Sequence, residues 1–95
     1  MATGDQIKSA IAGNTVQGKM IKTGDYAEHY AADGTIKGKD YSGKWSIKDN
    51  TMCFVYGSDP EMCWGVKIDG DKVTWMKDGQ EDGTGQILPG NPNNF

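Results

Sequence analysis

From Lys44 to Met76 the chain alternates apolar and polar side chains with a period of two. Trp45 and Ile47 alternate with Ser46 and Lys48, Trp64, Val66 and Ile68 with Gly65 and Lys67, and Val73 and Trp75 with Thr74. Successive side chains of a strand point to opposite faces, so this period marks strands with one face buried and one wet. Turn-forming residues punctuate the chain at Gly24-Asp25, Asp33-Gly34, Tyr41 to Gly43, Asp49-Asn50, Gly57 to Pro60, Gly70-Asp71 and Asp78-Gly79. Turns roughly eight to twelve residues apart are the mark of an antiparallel meander. The expected fold class is all-β: a meander of short strands, about seven to eight, over residues 14–88, forming a small barrel or a strongly curled sheet.

Register follows from the turns. A two-residue turn at Asp49-Asn50 sets Ile47 opposite Met52 and Trp45 opposite Phe54, and one at Gly70-Asp71 sets Ile68 opposite Val73 and Val66 opposite Trp75. Both place large apolar groups together, and a slip of one residue would expose them all. A three-residue loop ending at Gly34 makes Tyr30 face Ile36, with Tyr26 and Glu28 on the same inner side; a two-residue loop would turn His29 inward instead. The first joins the larger apolar groups and is preferred. Gly83 and Gly85 share one face, opposite Trp75 and Val73, as close approach of large rings requires.

Residues 3–13 follow another period. Ile7, Ala10 and Ile11 fall on one helical face, Thr3 and Gln6 have capping-box spacing, and Gly13 suits the C-terminus. So short a helix does not persist alone in water, and its Ile7/Ile11 face must dock on the sheet. Residues 89–95 read as a tail, and the whole chain as a single domain.

The same arithmetic across Gly57 to Pro60 sets Met52 opposite Trp64, Phe54 opposite Met62 and Cys53 opposite Cys63. The apolar partners take the core face, which puts both cysteines together on the other, close enough to bond. The bridge would close a loop of about eleven residues and contribute roughly 3 kcal/mol. A redox CxxC pair is absent, and a structural zinc site would have only His29 to add to the two thiolates. Two buried free thiols are the remaining alternative. A disulfide implies an oxidising compartment. The start, "MATGDQIKSAIAG", has neither the basic n-region nor the apolar core of a signal peptide. The cysteines therefore favour a periplasmic or secreted protein whose signal peptide has been removed over a cytosolic one.

Composition narrows the partners. The chain has 36% hydrophobic residues, 14 glycines and a net charge of −3, and all its basic residues are lysines. Without a basic excess or arginines, nucleic acid is excluded as an expected partner. No apolar run approaches the roughly 18 residues of a membrane-spanning helix. The lysines Lys37, Lys39 and Lys44 near one edge discourage strand pairing between copies, and a monomer is favoured over a dimer.

The order "AGNTVQG", "YAEHYAADGTIKG", "SGKWSI", a cysteine strand, "CWGVKIDGDKV", "KDGQEDGTG" and "PGNP" resembles small uncharacterised proteins exported by proteobacteria and described as lipocalin-like. The resemblance runs from about Thr3 to Pro92 and implies a small β-barrel-like domain with a periplasmic or secreted address. It implies no activity for any residue. More distantly, the chain is similar to bacterial inhibitors of secreted metalloproteases, also small disulfide-bearing barrels with a GxW strand. Those place their disulfide differently and act through an extended N-terminal arm, where this chain reads as helix.

For chemistry, Trp45, Phe54, Trp64 and Trp75 should cluster on one face, with Tyr26, Tyr30 and Tyr56 extending it. Such a set either fills the core or lines a cavity for a small apolar ligand. Glu28 and Asp40 would form an acid/base pair in the preferred register, and His29 is the sole histidine for nucleophilic catalysis. The bland readings are a solvated barrel mouth, with the carboxylates paired to Lys37 and Lys39, and a surface histidine. The acidic turns "IDGDKV" and "KDGQEDG" lack calcium-loop spacing, and Met20, Met52, Met62 and Met76 fit core gaps better than copper. No cofactor or metal is expected. The expected function is a non-enzymatic binding module for a small apolar ligand or a protein partner. Protease inhibition is the alternative, and an enzyme using Glu28, Asp40 or His29 the third choice.

Overall fold

Each strand pairs antiparallel with the next in sequence and the last pairs with the first, so the sheet closes on itself. This is seen in a computed structural model of the protein, which describes residues 1–95. A helix, α1 (Gly4–Ile11), precedes eight strands: β1 (Asn14–Met20), β2 (Gly24–Tyr30), β3 (Thr35–Lys37), β4 (Ser42–Lys48), β5 (Thr51–Val55), β6 (Met62–Asp69), β7 (Lys72–Lys77) and β8 (Gln80–Leu88). They form a closed barrel in the order β1 to β8.

The expected registers are observed. Trp45 pairs with Phe54, Ile47 with Met52, Met52 with Trp64, Val66 with Trp75, Ile68 with Val73 and Tyr30 with Ile36. Gly34 lies at φ +95°, the positive value that the three-residue loop requires. The Asp78-Gly79 turn has positive φ at both residues, the geometry whose twist matches a hairpin. Two reversals differ from expectation. The first lies at Ile21–Thr23, with Gly24 at φ +86° already paired to Met20 at the start of β2. The other spans Gly38–Tyr41, with Ser42 and Gly43 inside β4. There the Gly38 N–H donates to the Tyr41 carbonyl at 2.9 Å and the Tyr41 ring lies against Gly38, where a Cβ would collide with it.

Closure occurs between β1 and β8, where Gly18 faces Gly85. A Cβ on Gly85 would strike the Tyr26 hydroxyl and the Val16 side chain, and one on Gly18 would strike β8 backbone. The two glycines therefore let the seam close tightly and leave room for Tyr26 inside.

In a meander the connections alternate between the two ends of the barrel. The β2–β3, β4–β5 and β6–β7 turns share one end with α1. Thr3 caps the helix as expected, its hydroxyl accepting from Gln6 N at 3.2 Å while the Gln6 side chain accepts from Thr3 N at 2.9 Å. The helix is pinned by Gly4 N donating to Asn50 Oδ1 at 2.9 Å and Ala2 N donating to the Val66 carbonyl at 2.8 Å. Ile7 and Ile11 are wholly buried with Val16, Ile36, Met52, Val66 and Val73. The helix therefore plugs one end of the barrel. The other end has no plug.

Cys53 and Cys63 face each other across β5 and β6, their Cα atoms 4.0 Å apart, and are joined by a disulfide. Their neighbours Met52 and Phe54 point to the core, so the bridge braces the barrel wall. It straps the longest connection of the open end, residues 56–61.

Two measurements check these supports. Ile11→Ala should lower the unfolding free energy by about 2–5 kcal/mol, read from urea titration, because the plugged end cannot collapse onto the lost volume. Unreduced protein should be lighter by two hydrogens than the reduced chain (~2 Da) and should lose roughly 3 kcal/mol of stability on reduction; two freely alkylated thiols in the denatured, unreduced chain would refute the bridge.

Candidate binding cup

The apolar faces of the strands meet differently at the two ends. Near the helix, aliphatic side chains fill the interior. Toward the open end, large rings surround a cavity of about 510 Å³. Tyr26, Tyr30, Phe54, Tyr56, Trp64 and Trp75 of the expected aromatic set line it, joined by Tyr41, Met20 and Met62. Phe54 is the hub. Its ring meets Tyr30, Trp64 and Trp75 edge-on, with centroids 5.9, 5.4 and 5.6 Å away, and stacks on Tyr56 at 6.4 Å. Edge-to-face contact is the arrangement that ring quadrupoles favour. Trp45 is not part of the wall. Its indole N–H donates to the Ala31 carbonyl at 2.9 Å, in the β2–β3 turn at the helix end.

At the floor of the cup lies Glu28, only 6% exposed. Its carboxylate accepts from the hydroxyls of Tyr30 and Tyr41 at 2.6 Å each, and from Tyr56 at 3.0 and 2.9 Å to its two oxygens. Distances of about 2.6 Å are those of an O–H group donating to an ionised oxygen. No lysine lies within ion-pair distance, since the one salt bridge of the molecule joins Lys48 to Glu61 at the surface. Glu28 is thus a buried anion held by three phenols. The solvated, lysine-paired carboxylate expected from the sequence is not what forms. The inward register was right, but three tyrosines from β2, the β3–β4 connection and the start of the β5–β6 connection reach the carboxylate first.

Burial and this negative charge act on the phenols. Tyr26 is pushed up from 10.0 to about 12, chiefly by burial and also by the Glu28 charge, although the Trp75 indole N–H donating to it at 2.7 Å works the other way. Tyr30, Tyr41 and Tyr56 are raised further, again by burial first and then by the charge of Glu28 and the hydrogen bonds to it.

The remaining candidate residues are dispersed. Asp40 is exposed in the β3–β4 connection and does not line the cup. His29, between Glu28 and Tyr30 on β2, faces outward. Its Nδ1 lies 3.1 Å from the Gly90 carbonyl and 3.2 Å from the Thr15 hydroxyl, which itself donates to Gly90 at 2.8 Å. That cluster ties the C-terminal tail to the barrel wall. Glu28, Asp40 and His29 are therefore not brought to one place, and the acid/base pair of the third reading does not form. The one grouping with metal-ligand proximity is Cys53, Cys63 and Glu61, and its sulfurs are bonded to each other, leaving no thiolate to ligate. In the acidic turns, Asp71 accepts from Gln86 and Asp82 from the Trp64 indole N–H at 2.9 Å.

The rim carries the exposed apolar groups Tyr41 and Met62, together with Lys22, Asp25, Lys77 and Asp82. Lys77 donates to the Cys63 carbonyl at 2.9 Å, and its ammonium lies 4.9 Å from the centre of the Trp64 ring.

The phenol shifts give a pH prediction. The folded chain holds these protons more tightly than the unfolded chain, so their contribution to stability is intact below pH 10.0 and falls as pH rises through about 12. Absorbance at the phenolate band should therefore rise together with loss of near-UV circular dichroism. Free titration of all four tyrosines near pH 10.0 in a folded protein would contradict the buried network.

No protein-family profile matches this chain, and neither a curated relative nor a solved structure matches it.

Proposed function

We propose that the protein is a non-enzymatic binding module that takes a small, largely apolar ligand into the open end of its barrel. The observation that carries this reading is the cavity of about 510 Å³, walled by aromatic faces and closed below by Glu28. That volume lies within the range of small-molecule sites, which combine apolar walls with a few placed polar groups. The cup is built from strands on a closed sheet, so its walls are held before any ligand arrives, and pre-formed walls reduce the ordering cost of binding.

The disulfide supports an exported address, since such bonds persist in oxidising compartments. No helix is long and apolar enough to cross a membrane. A closed barrel has no unpaired edge to recruit a second copy, which supports a monomer. The N-terminal helix is docked by Ala2, Ile7 and Ile11, so residues 1–13 are engaged with the barrel and are not an extended inhibitory arm.

The three tryptophans provide the test. In a two-dimensional amide spectrum of labelled protein, a bound ligand should shift the indole N–H signals of Trp64 and Trp75. Trp45, hydrogen-bonded at the helix end, should stay in place. A fragment panel of mixed charge and shape that moves neither cup indole, or moves all three equally, would refute a ligand site in the barrel.

A further inference from the structure

The hydrogen-bond inventory of the cup is one-sided. Each interior side-chain donor is already committed: the hydroxyls of Tyr30, Tyr41 and Tyr56 to Glu28, the Tyr26 hydroxyl to the Thr84 carbonyl at 3.0 Å, the Trp75 indole to Tyr26 and the Trp64 indole to Asp82. No buried side-chain polar atom is without a partner. What the interior still offers is oxygen lone pairs, aromatic faces and one negative charge with no cation beside it. The donors left over, on Lys22, Thr23 and Lys77, are in the β1–β2 connection and at the end of β7, all at the rim. Five lining groups are formally charged, three carboxylates (Asp25, Glu28, Asp82) and two ammoniums (Lys22, Lys77), and only Glu28 among them is buried.

We infer that the occupant of the cup is a small organic cation, an ammonium group carried on an apolar or aromatic body. This rests on the cup being a ligand site, as proposed above. The chemistry discriminates among ligand charges. An anionic or carbonyl head sent inward finds no free donor and meets the Glu28 charge. A neutral apolar body finds the rings but covers a carboxylate and leaves it without a countercharge, which is costly in a low-dielectric site. An ammonium is drawn by the carboxylate, donates to the tyrosine and aspartate oxygens, and lies against ring faces that attract cations. The protein's own Lys77 shows the last of these contacts, with its ammonium over Trp64. The apolar rim groups Tyr41 and Met62 suit the uncharged part of such a ligand as it enters.

Isothermal titration calorimetry with probes of matched size decides the point: phenethylammonium, phenethyl alcohol and hydrocinnamate, with benzyltrimethylammonium as a quaternary cation. Both cations should bind at least about tenfold more tightly than the alcohol, as expected for a desolvated cation facing rings and a carboxylate, with hydrocinnamate weakest. Glu28→Gln should erase most of the cations' advantage over the alcohol, with near-UV circular dichroism confirming that the variant folds. If it does not fold, the ranking on the unaltered protein decides alone. Equal or tighter binding of the alcohol or of hydrocinnamate would overturn the cation while leaving the cup a binding site. Failure of both cations to bind overturns it whatever the indole signals show, and so does an undiminished preference for cations in a folded Glu28→Gln protein.

Discussion

The molecule depends on one ladder, the pairing of β1 with β8. Without it the eight strands would form a curled sheet with two open edges and a wet aromatic face. With it there is an inside, and every inward side chain must be packed, paired or left facing a cavity. The seam depends on Gly18 opposite Gly85, because a side chain at either position would collide with the neighbouring strand or with the residues beneath. The Tyr26 hydroxyl fills the space beside Gly85, and its bond to the Thr84 carbonyl fastens the ring to β8. Closure and the furnishing of the interior are therefore one arrangement.

The two ends of that interior obey different physics. At the helix end, burial of aliphatic groups dominates, and α1 completes a core that eight short strands cannot fill. Toward the open end a charge is buried, which is unfavourable by several kcal/mol unless hydrogen bonds compensate. The three phenols of Tyr30, Tyr41 and Tyr56 supply that compensation, each bond to a charged acceptor contributing about 1.5–3 kcal/mol. Nothing is gained over an apolar packing of the same volume. The network fixes the positions of rings from three separate elements, and that is a requirement of a site more than of a stable core.

Much of this was legible in the chain. Strand period, turn residues and the two-residue loops determine register, and register alone brings Cys53 to Cys63, Gly83 to Trp75 and Trp45 to Phe54. Those pairings are local, separated by one turn, and turn chemistry decides them. The capping box of α1 is local too. The Glu28 network is of another kind. Tyr41 lies in a connection with no strand period to read, and its reach to Glu28 depends on the ring folding over Gly38, which shifts the reversal away from Tyr41 to Gly43. Asp40, next to it in sequence, faces solvent for the same reason. No pattern of spacing distinguishes these two neighbours; only the path of the backbone between β3 and β4 does. Trp45 fails as a cup residue in a similar way. Its inward register is correct, but its indole is drawn to Ala31 at the other end.

The disulfide and the helix then have complementary parts in keeping one end open. A hollow between large rings tends to close by side-chain collapse unless the wall resists it. At the open end the longest connection, residues 56–61, carries Tyr56 at its start and leads into Met62, two groups that line the cup. The Cys53–Cys63 bridge, just behind both, holds the strands at the spacing the ladder dictates. On the neighbouring wall, Lys77 clamps β7 to the Cys63 carbonyl with its ammonium over the Trp64 ring, while Asp82 holds the same indole from β8. Trp64 is thereby fixed by groups on two strands, with its remaining surface toward the cavity. A plugged end completes the aliphatic core, and a braced end can then keep an unfilled, charged interior without losing its shape.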